Sequence, residues 1–88
     1  MAGKYAIARQ LSGKKVVTNE GEDFGKVVDI NINEVTGSIE ALVVDPNPDS
    51  ELASKMKKED GLVCAPYECV LAVGDYVLVD RKNITSEV

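Results

Sequence analysis

The amino-acid sequence predicts a mainly β fold: a small six-stranded barrel with one short helix inserted between strands 3 and 4. Val and Ile dominate the apolar residues, and β-branched side chains fit the pleated surface of a sheet. Short runs of alternating apolar and polar residues are separated by turn formers, which is typical of strands. Six short strands in a chain of 88 residues protect their edges best by curling into a barrel.

A short helical turn and a first strand are predicted at the start of the chain. Ile7 and Leu11 are four residues apart, a spacing that puts both side chains on one helical face toward the core. The turn covers residues 6–12 and ends at Gly13, because glycine readily adopts the left-handed conformation that follows a helix. Residues 14–18 are predicted as the first strand, and a stretch of turn formers follows it.

The clearest strand pattern begins at Phe24. From there apolar and polar side chains alternate, as expected of a strand with one buried face. The predicted buried face consists of Phe24, Val28, Ile30 and Ile32. Gly37 lies in the short loop that follows, and residues 38–45 are predicted as the returning third strand. Pro46 ends this strand because proline lacks the N–H that a sheet ladder needs.

The inserted helix is predicted over residues 47–60. Asn47 would cap it, and Pro48 would take its first position, where a missing N–H costs nothing. Leu52 and Met56 form a narrow apolar face, which predicts a helix that lies loosely on the surface. A basic cluster near its C-terminal end complements the helix dipole; it consists of Lys55, Lys57 and Lys58.

The C-terminal part is predicted to contain the remaining three strands. Residues 62–65 form the fourth strand, which Pro66 closes. Two apolar runs at 69–73 and 76–79 are separated by Gly-Asp, a hairpin signal. The predicted organisation is one domain over residues 1–88, with a barrel core at about 11–80, a helical insertion at about 47–60 and a frayed C terminus at 83–88.

A net charge of −5 excludes several classes of partner from the prediction. Nucleic acids reward clustered Lys and Arg, and an anionic membrane surface repels an acidic chain. The aromatic residues are scattered and lack neighbouring basic residues, unlike a base-stacking platform; they are Tyr5, Phe24, Tyr67 and Tyr76. No signal peptide and no run of about 20 apolar residues are recognisable, so we expect a cytoplasmic protein.

Residue types that serve catalysis or metal binding are scarce. The chain has no histidine, which leaves Cys64 and Cys69 without a ready general base and leaves no ligand set for a metal ion. The cysteines are predicted as two small buried hydrophobic residues on strands, without a disulfide, because a reducing cytoplasm disfavours one. We therefore predict no enzyme activity, no cofactor and no metal site.

Two strands carry apolar residues on both faces, and this predicts an interaction surface. Leu42 and Val44 point opposite to the other apolar residues of the third strand, and Val77 and Val79 do the same in the last strand. Because only one face of a barrel strand points inward, we predict that these four residues form an outward dimer or partner interface. We expect a homodimer, which Leu42→Asp or Val44→Asp is expected to shift toward monomer.

The order and spacing of several motifs resemble the PRC-barrel domain family. The match covers roughly residues 11–80, and four segments carry it: Leu11–Val17, Gly21–Asp29, Thr36–Val44 and Ala65–Val79. The resemblance implies a six-stranded barrel without catalytic function, since the family shares a fold and has no catalytic motif. The family includes a domain of the photosynthetic reaction-centre H subunit and the C-terminal domain of the ribosome maturation factor RimM.

The length and the charged insertion are similar to those of small stand-alone archaeal members of this family. Some of these associate in cell division with SepF, the membrane anchor of the FtsZ ring. The resemblance therefore implies a protein–protein interaction adaptor that is recruited to the division site by a SepF-like protein. The alternative is a ribosome maturation or RNA-processing accessory factor similar to RimM.

Overall fold

The computed structural model describes residues 9–85, and in this part of the chain six strands form one sheet. The strands are β1 (Lys15–Thr18), β2 (Asp23–Ile32), β3 (Ile39–Pro46), β4 (Val63–Pro66), β5 (Val70–Val73) and β6 (Tyr76–Val79). Two short helices, α1 (Glu51–Ser54) and α2 (Arg81–Thr85), and a 3-10 turn at Tyr67–Cys69 complete the described elements, together with a helical segment at 9–11. The mainly β class, the six strands and the helix between strands 3 and 4 are confirmed.

The sheet is rolled but its two edges are not hydrogen-bonded to each other. The strand order is β4-β3-β2-β1-β6-β5, and every pair is antiparallel except β1 with β6. This pattern makes β4 and β5 run in the same direction, with only the 3-10 turn between them. The two edge strands, β4 and β5, are therefore consecutive in the chain and are joined directly by the 3-10 turn. Within the described residues, the chain itself joins the edges, whereas the sequence predicted a closed barrel.

A bulge in β2 changes which valine is buried. Val27 pairs with Val44 of β3, whereas the next pair joins Asp29 to Val43. Val28 is thus an extra residue that shifts the alternation by one position. Val27 is buried and Val28 is exposed, so the predicted position of Val28 on the buried face was wrong.

The core contains all four residues that the sequence assigned to an outward interface. Leu42, Val44, Val77 and Val79 are each 0% exposed, so that assignment was wrong. The alternation shows which residues share a face but not which face turns inward. Pairing decides the question here: Leu42 lies between Ile30 of β2 and Ala65 of β4, and all three are buried.

The insertion is much shorter than predicted and is firmly packed. Ser50 caps α1, because its Oγ accepts a hydrogen bond from Ala53 N–H at 3.1 Å. Asn47, the predicted cap, instead forms a turn in which its Oδ1 accepts from Asp49 N–H at 3.0 Å. Leu52 and Ala53 are buried. The helix is therefore one turn anchored to the core, and the prediction of a loosely attached helix over 47–60 was wrong.

The two ends of the predicted barrel are only partly as the sequence predicted. Leu11 is buried and Gly13 has a positive φ of 88°, as predicted, whereas Ile7 lies outside the described residues. The predicted fraying from residue 83 was wrong as far as Thr85, because α2 places Ile84 in the core. In the described part of the chain, no helix has both the length and the apolar character needed to cross a membrane.

The two cysteines do not share the predicted environment. Cys69 is buried, but it lies in the 3-10 turn rather than on a strand. Cys64 lies on β4 and is exposed, so the prediction of a buried side chain was wrong for this residue. Its neighbours on β4, Val63 and Ala65, take the inward positions instead.

Candidate interaction surface

The β5–β6 hairpin carries the main exposed apolar surface of the described residues. Leu71 is 52% exposed, Val73 is 43% exposed and Tyr76 is 59% exposed, and Ala72 is exposed between the first two. Leu71, Ala72 and Val73 lie on the last strand of the sheet, because β5 pairs only with β6, and Tyr76 begins β6. An apolar edge strand is a common site of protein–protein contact.

A bulge explains why β5 exposes successive residues. Val70 pairs with Val79, whereas the next pair joins Ala72 to Leu78, so Leu71 is the extra residue. Val70 packs against the core, and the bulge breaks the alternation directly after it. We call the exposed residues Leu71, Ala72, Val73 and Tyr76 the hairpin patch.

Basic residues lie beside the hairpin patch across the sheet. Tyr76 pairs with Lys15 of β1, and Lys15 pairs with Lys26 of β2. The sequence interpretation that aromatic residues lack basic neighbours was therefore wrong for Tyr76. Acidic groups offset the positive charge of these two lysines. Lys15 Nζ lies 3.4 Å from Asp23 Oδ2, and Lys26 is the cross-strand partner of Asp45. The mixed charge makes this strip a poor phosphate-binding surface.

The other described aromatic residues are buried or partly buried, and one lysine of the basic cluster binds the end of α1. Phe24 is fully buried and Tyr67 is partly buried against the core, while Tyr5 lies outside the described residues. Lys58 Nζ donates to the carbonyl oxygen of Ala53 at 2.8 Å, so this lysine stabilises the C-terminal end of α1 as the dipole argument predicts.

Glu22 is the main ionisable group whose environment the fold alters. Its Oε2 accepts hydrogen bonds from Ser50 Oγ at 2.5 Å and from Leu52 N–H at 3.0 Å. Arg81 Nε lies 3.5 Å from its Oε1. These bonds, first that from Ser50, and the Arg81 charge hold the pKa of Glu22 below its ordinary value. The carboxylate joins the β1–β2 turn to both short helices, which is a structural role.

Replacing Glu22 by glutamine is expected to destabilise the protein by about 1 kcal/mol at neutral pH. Because the folded-state pKa is lowered, the carboxylate stabilises the fold above its ordinary, unfolded-state pKa of about 4.5. This contribution disappears as the pH falls through the folded-state pKa. Urea unfolding of both proteins should therefore show a difference at pH 7 that shrinks in acid.

Glu20→Gln is the matched control for this prediction. Its side chain is 68% exposed and lies 3.9 Å from Arg81 Nε, and an exposed pair at that distance contributes little. A Glu22→Gln effect that is no larger than the Glu20→Gln effect, or that is constant with pH, would contradict the role assigned to the carboxylate.

The structure does not bring the sequence-predicted interface residues to the surface at all. The hairpin patch could have been suspected from one signal, since residues 69–74 form a run without a charged residue. Such a run is equally typical of a buried strand. Its position at the sheet edge depends on strand order, which a single sequence does not give.

Among the described residues, no cluster of His, Cys, Asp or Glu could hold a metal ion.

Comparison with known proteins gives one family, one relative and one solved structure of similar fold. A model described as PRC-barrel domain matches residues 6–83. An uncharacterized protein of Methanocaldococcus jannaschii is 34% identical over 77 residues, which are 88% of this chain and 83% of that protein. A structure of RimM from Pseudomonas aeruginosa, described as a 16S ribosomal RNA processing protein, aligns with a TM-score of 0.54. That alignment has 21% identity and covers 83% of this chain but 42% of RimM, so it shows a shared fold.

Proposed function

The chain belongs to the PRC-barrel domain family, and on this premise we propose that it is a non-enzymatic interaction module. The observation that carries the proposal is the hairpin patch. Three successive apolar residues are exposed on the edge strand β5 and Tyr76 is exposed at the start of the neighbouring β6, where burial against a partner would remove them from water. Leu71 and Tyr76, as the largest side chains, would contribute most to binding.

The setting proposed for this module is archaeal cell division, as an adaptor that binds a SepF-like protein and is recruited to the division site. Two facts support it: the similarity to a protein of the archaeon M. jannaschii, and the resemblance to stand-alone archaeal members linked to SepF and the FtsZ ring. A binding experiment with purified proteins tests this partner.

Leu71→Asp is expected to weaken binding to the purified SepF homologue of the source organism roughly tenfold or more, because it places a charge in a desolvated contact. Biolayer interferometry with the wild type and the variant would measure the change. Val35→Asp is the matched control, since Val35 is 94% exposed in the β2–β3 loop and outside the patch. Wild-type protein that fails to bind SepF would reject this partner. Equal loss in both variants would reject the patch as the contact surface.

A role in ribosome maturation or RNA processing is the second candidate, because the fold resembles that of RimM. Co-sedimentation with ribosomal subunits that depends on Lys55, Lys57 and Lys58 would favour it. The net charge of −5 and the mixed charges beside Tyr76 argue against a direct nucleic-acid contact.

The homodimer remains a proposal, but its interface cannot contain Leu42, Val44, Val77 or Val79, which are core residues. Light-scattering chromatography of the wild type measures the oligomeric state directly.

A further inference from the structure

We propose that the outer edge of β5 binds an extended segment of another protein by strand addition, and that this segment is apolar in its middle and basic at both ends. The inference rests on the interaction function proposed above and specifies the chemistry of the partner. Strand addition uses backbone hydrogen bonds for affinity and side-chain contacts for specificity.

The backbone of β5 offers hydrogen-bonding groups on its open side. Gly74 N–H donates to Tyr76 O at 2.9 Å, and Asp80 N–H donates to Cys69 O at 2.8 Å. The backbone groups of Gly74 and Cys69 therefore face β6. Because these groups alternate along a strand, those of Val73 and Val70 face away from β6. Val73 presents one N–H and one C=O to an incoming strand, whereas Val70 presents its C=O, because its N–H donates to Tyr67 O in the 3-10 turn.

The side chains along this edge leave it open to pairing. Natural proteins usually protect edge strands with lysine, proline or inward-pointing charges, and residues 69–74 contain none of these. The bulge at Leu71 is the protective feature that is present. It shortens the available ladder to the groups of Val70 and Val73, which suits a short segment.

Charge indicates that the occupant is a different protein rather than a second copy. A symmetric dimer would pair two β5 strands antiparallel, and the register that uses both valines sets Val70 opposite Val73 of the second copy. In this register the end of one β5 that carries Glu68, in the 3-10 turn before the strand, meets the end of the other β5 that carries Asp75, in the hairpin turn after it. Both residues are exposed, so the acids of the two copies would repel each other. Each copy also carries a net charge of −5.

A partner segment with Lys or Arg at its two ends turns both of these repulsions into ion pairs. Glu68 lies in the 3-10 turn before the exposed strand and Asp75 in the turn after it, so the two acids flank the apolar run. The two acids favour a segment with basic residues at its ends, and the uncharged run between them favours apolar residues in its middle. Together they define the ligand as a short basic-ended β-strand.

The probe that tests the proposal is the blocked peptide acetyl-Lys-Val-Thr-Val-Thr-Val-Lys-amide, labelled for fluorescence anisotropy. Its Val and Thr residues favour an extended strand. A control peptide carries Glu in place of both Lys residues. We expect the wild-type protein to bind the Lys-ended peptide roughly fivefold or more tightly than the Glu-ended peptide, with the difference decreasing at high salt.

The double variant Glu68→Lys/Asp75→Lys tests the charge argument without touching the core. Both positions are exposed, so the variant is expected to stay folded. It should reverse the preference and bind the Glu-ended peptide more tightly. A preference that is unchanged by this reversal overturns the assignment of the two acids.

Val73→Pro tests the backbone ladder. Proline removes the outward N–H of Val73 and leaves the β6-facing groups of Gly74 and Cys69 in place. We expect roughly fivefold weaker peptide binding from the loss of one hydrogen bond, whereas Val73→Ala keeps the N–H and most of the affinity. Thermal unfolding verifies that the proline variant is folded, and equal binding by both variants overturns strand addition.

Two results would replace the proposed occupant. A wild-type dimer that Val73→Pro dissociates assigns the edge to a second copy. Peptide binding that requires removal of residues 1–8 assigns it to the chain's own N terminus. The absence of binding by either peptide also overturns the proposal. In contrast, a SepF homologue that binds wild type and Val73→Pro equally leaves the interaction function standing and rejects only the edge.

Discussion

Leu42→Asp is expected to unfold the protein rather than to change its oligomeric state. Leu42 is 0% exposed and lies between Ile30 and Ala65 on the neighbouring strands. The substitution removes a buried apolar side chain and puts a carboxylate among apolar groups, which together cost more than about 4 kcal/mol. The total stability of a chain of this length is roughly 4 to 13 kcal/mol. Circular dichroism should show lost β structure or a greatly lowered Tm.

Leu71→Asp is the matched control for this prediction. The same substitution on the exposed edge strand leaves the core intact and is expected to change the free energy of unfolding by less than about 0.5 kcal/mol. If Leu42→Asp gave a folded protein with the wild-type Tm and a smaller mass in light scattering, the assignment of Leu42 to the core would be wrong. The original interface prediction would then be restored.

Gly25→Ala is expected to be the second most damaging single substitution, although it adds only one methyl group. A Cβ on Gly25 would collide with the carbonyl oxygen of Asp45 and would lie 2.8 Å from Val44 Cγ1 and 2.9 Å from Pro46 Cα. The residue also has a φ of 153°, which side-chain-bearing residues rarely adopt. Because two of the three neighbours are backbone atoms, β2 and β3 would have to separate. We expect a loss of at least about 2 kcal/mol in urea unfolding.

Gly74→Ala separates crowding from the general effect of replacing a glycine. A Cβ at Gly74 would have no atom within 4 Å, and its φ is not in the left-handed region. The Gly74→Ala protein should therefore have a free energy of unfolding close to that of the wild type. Similar losses in the two variants would show that β2 and β3 do not approach closely at Gly25.

The elements that depend on local patterns were predicted well. The hairpin at Gly74 and Asp75 was predicted from two apolar runs around a turn signal, and it lies between β5 and β6. The helical segment that contains Leu11 ends before Gly13, as the spacing indicated. Turn residues and alternation act over a few neighbouring residues, so a single sequence contains the information they need.

The inserted helix shows where local patterns fail. Asn47 and Pro48 form a plausible helix start, but the tertiary contact from Glu22 to Ser50 and Leu52 places the start three residues later. The partner of this contact lies in the β1–β2 turn, far away along the chain. Sequence reasoning had no signal for it, because Glu22 looked like one acid in a polar turn.

The candidate surface was missed for a related reason. The sequence by itself determined that the chain is mainly β, that it has six strands and that Leu42 and Val44 share a face. It could not determine which face is inside, because alternation is symmetric between the two faces of a strand. Only the tertiary structure decided this, by pairing β3 with buried residues on both sides and by placing β5 at the end of the sheet. Burial and edge position are properties of strand order, and long-range pairing sets that order.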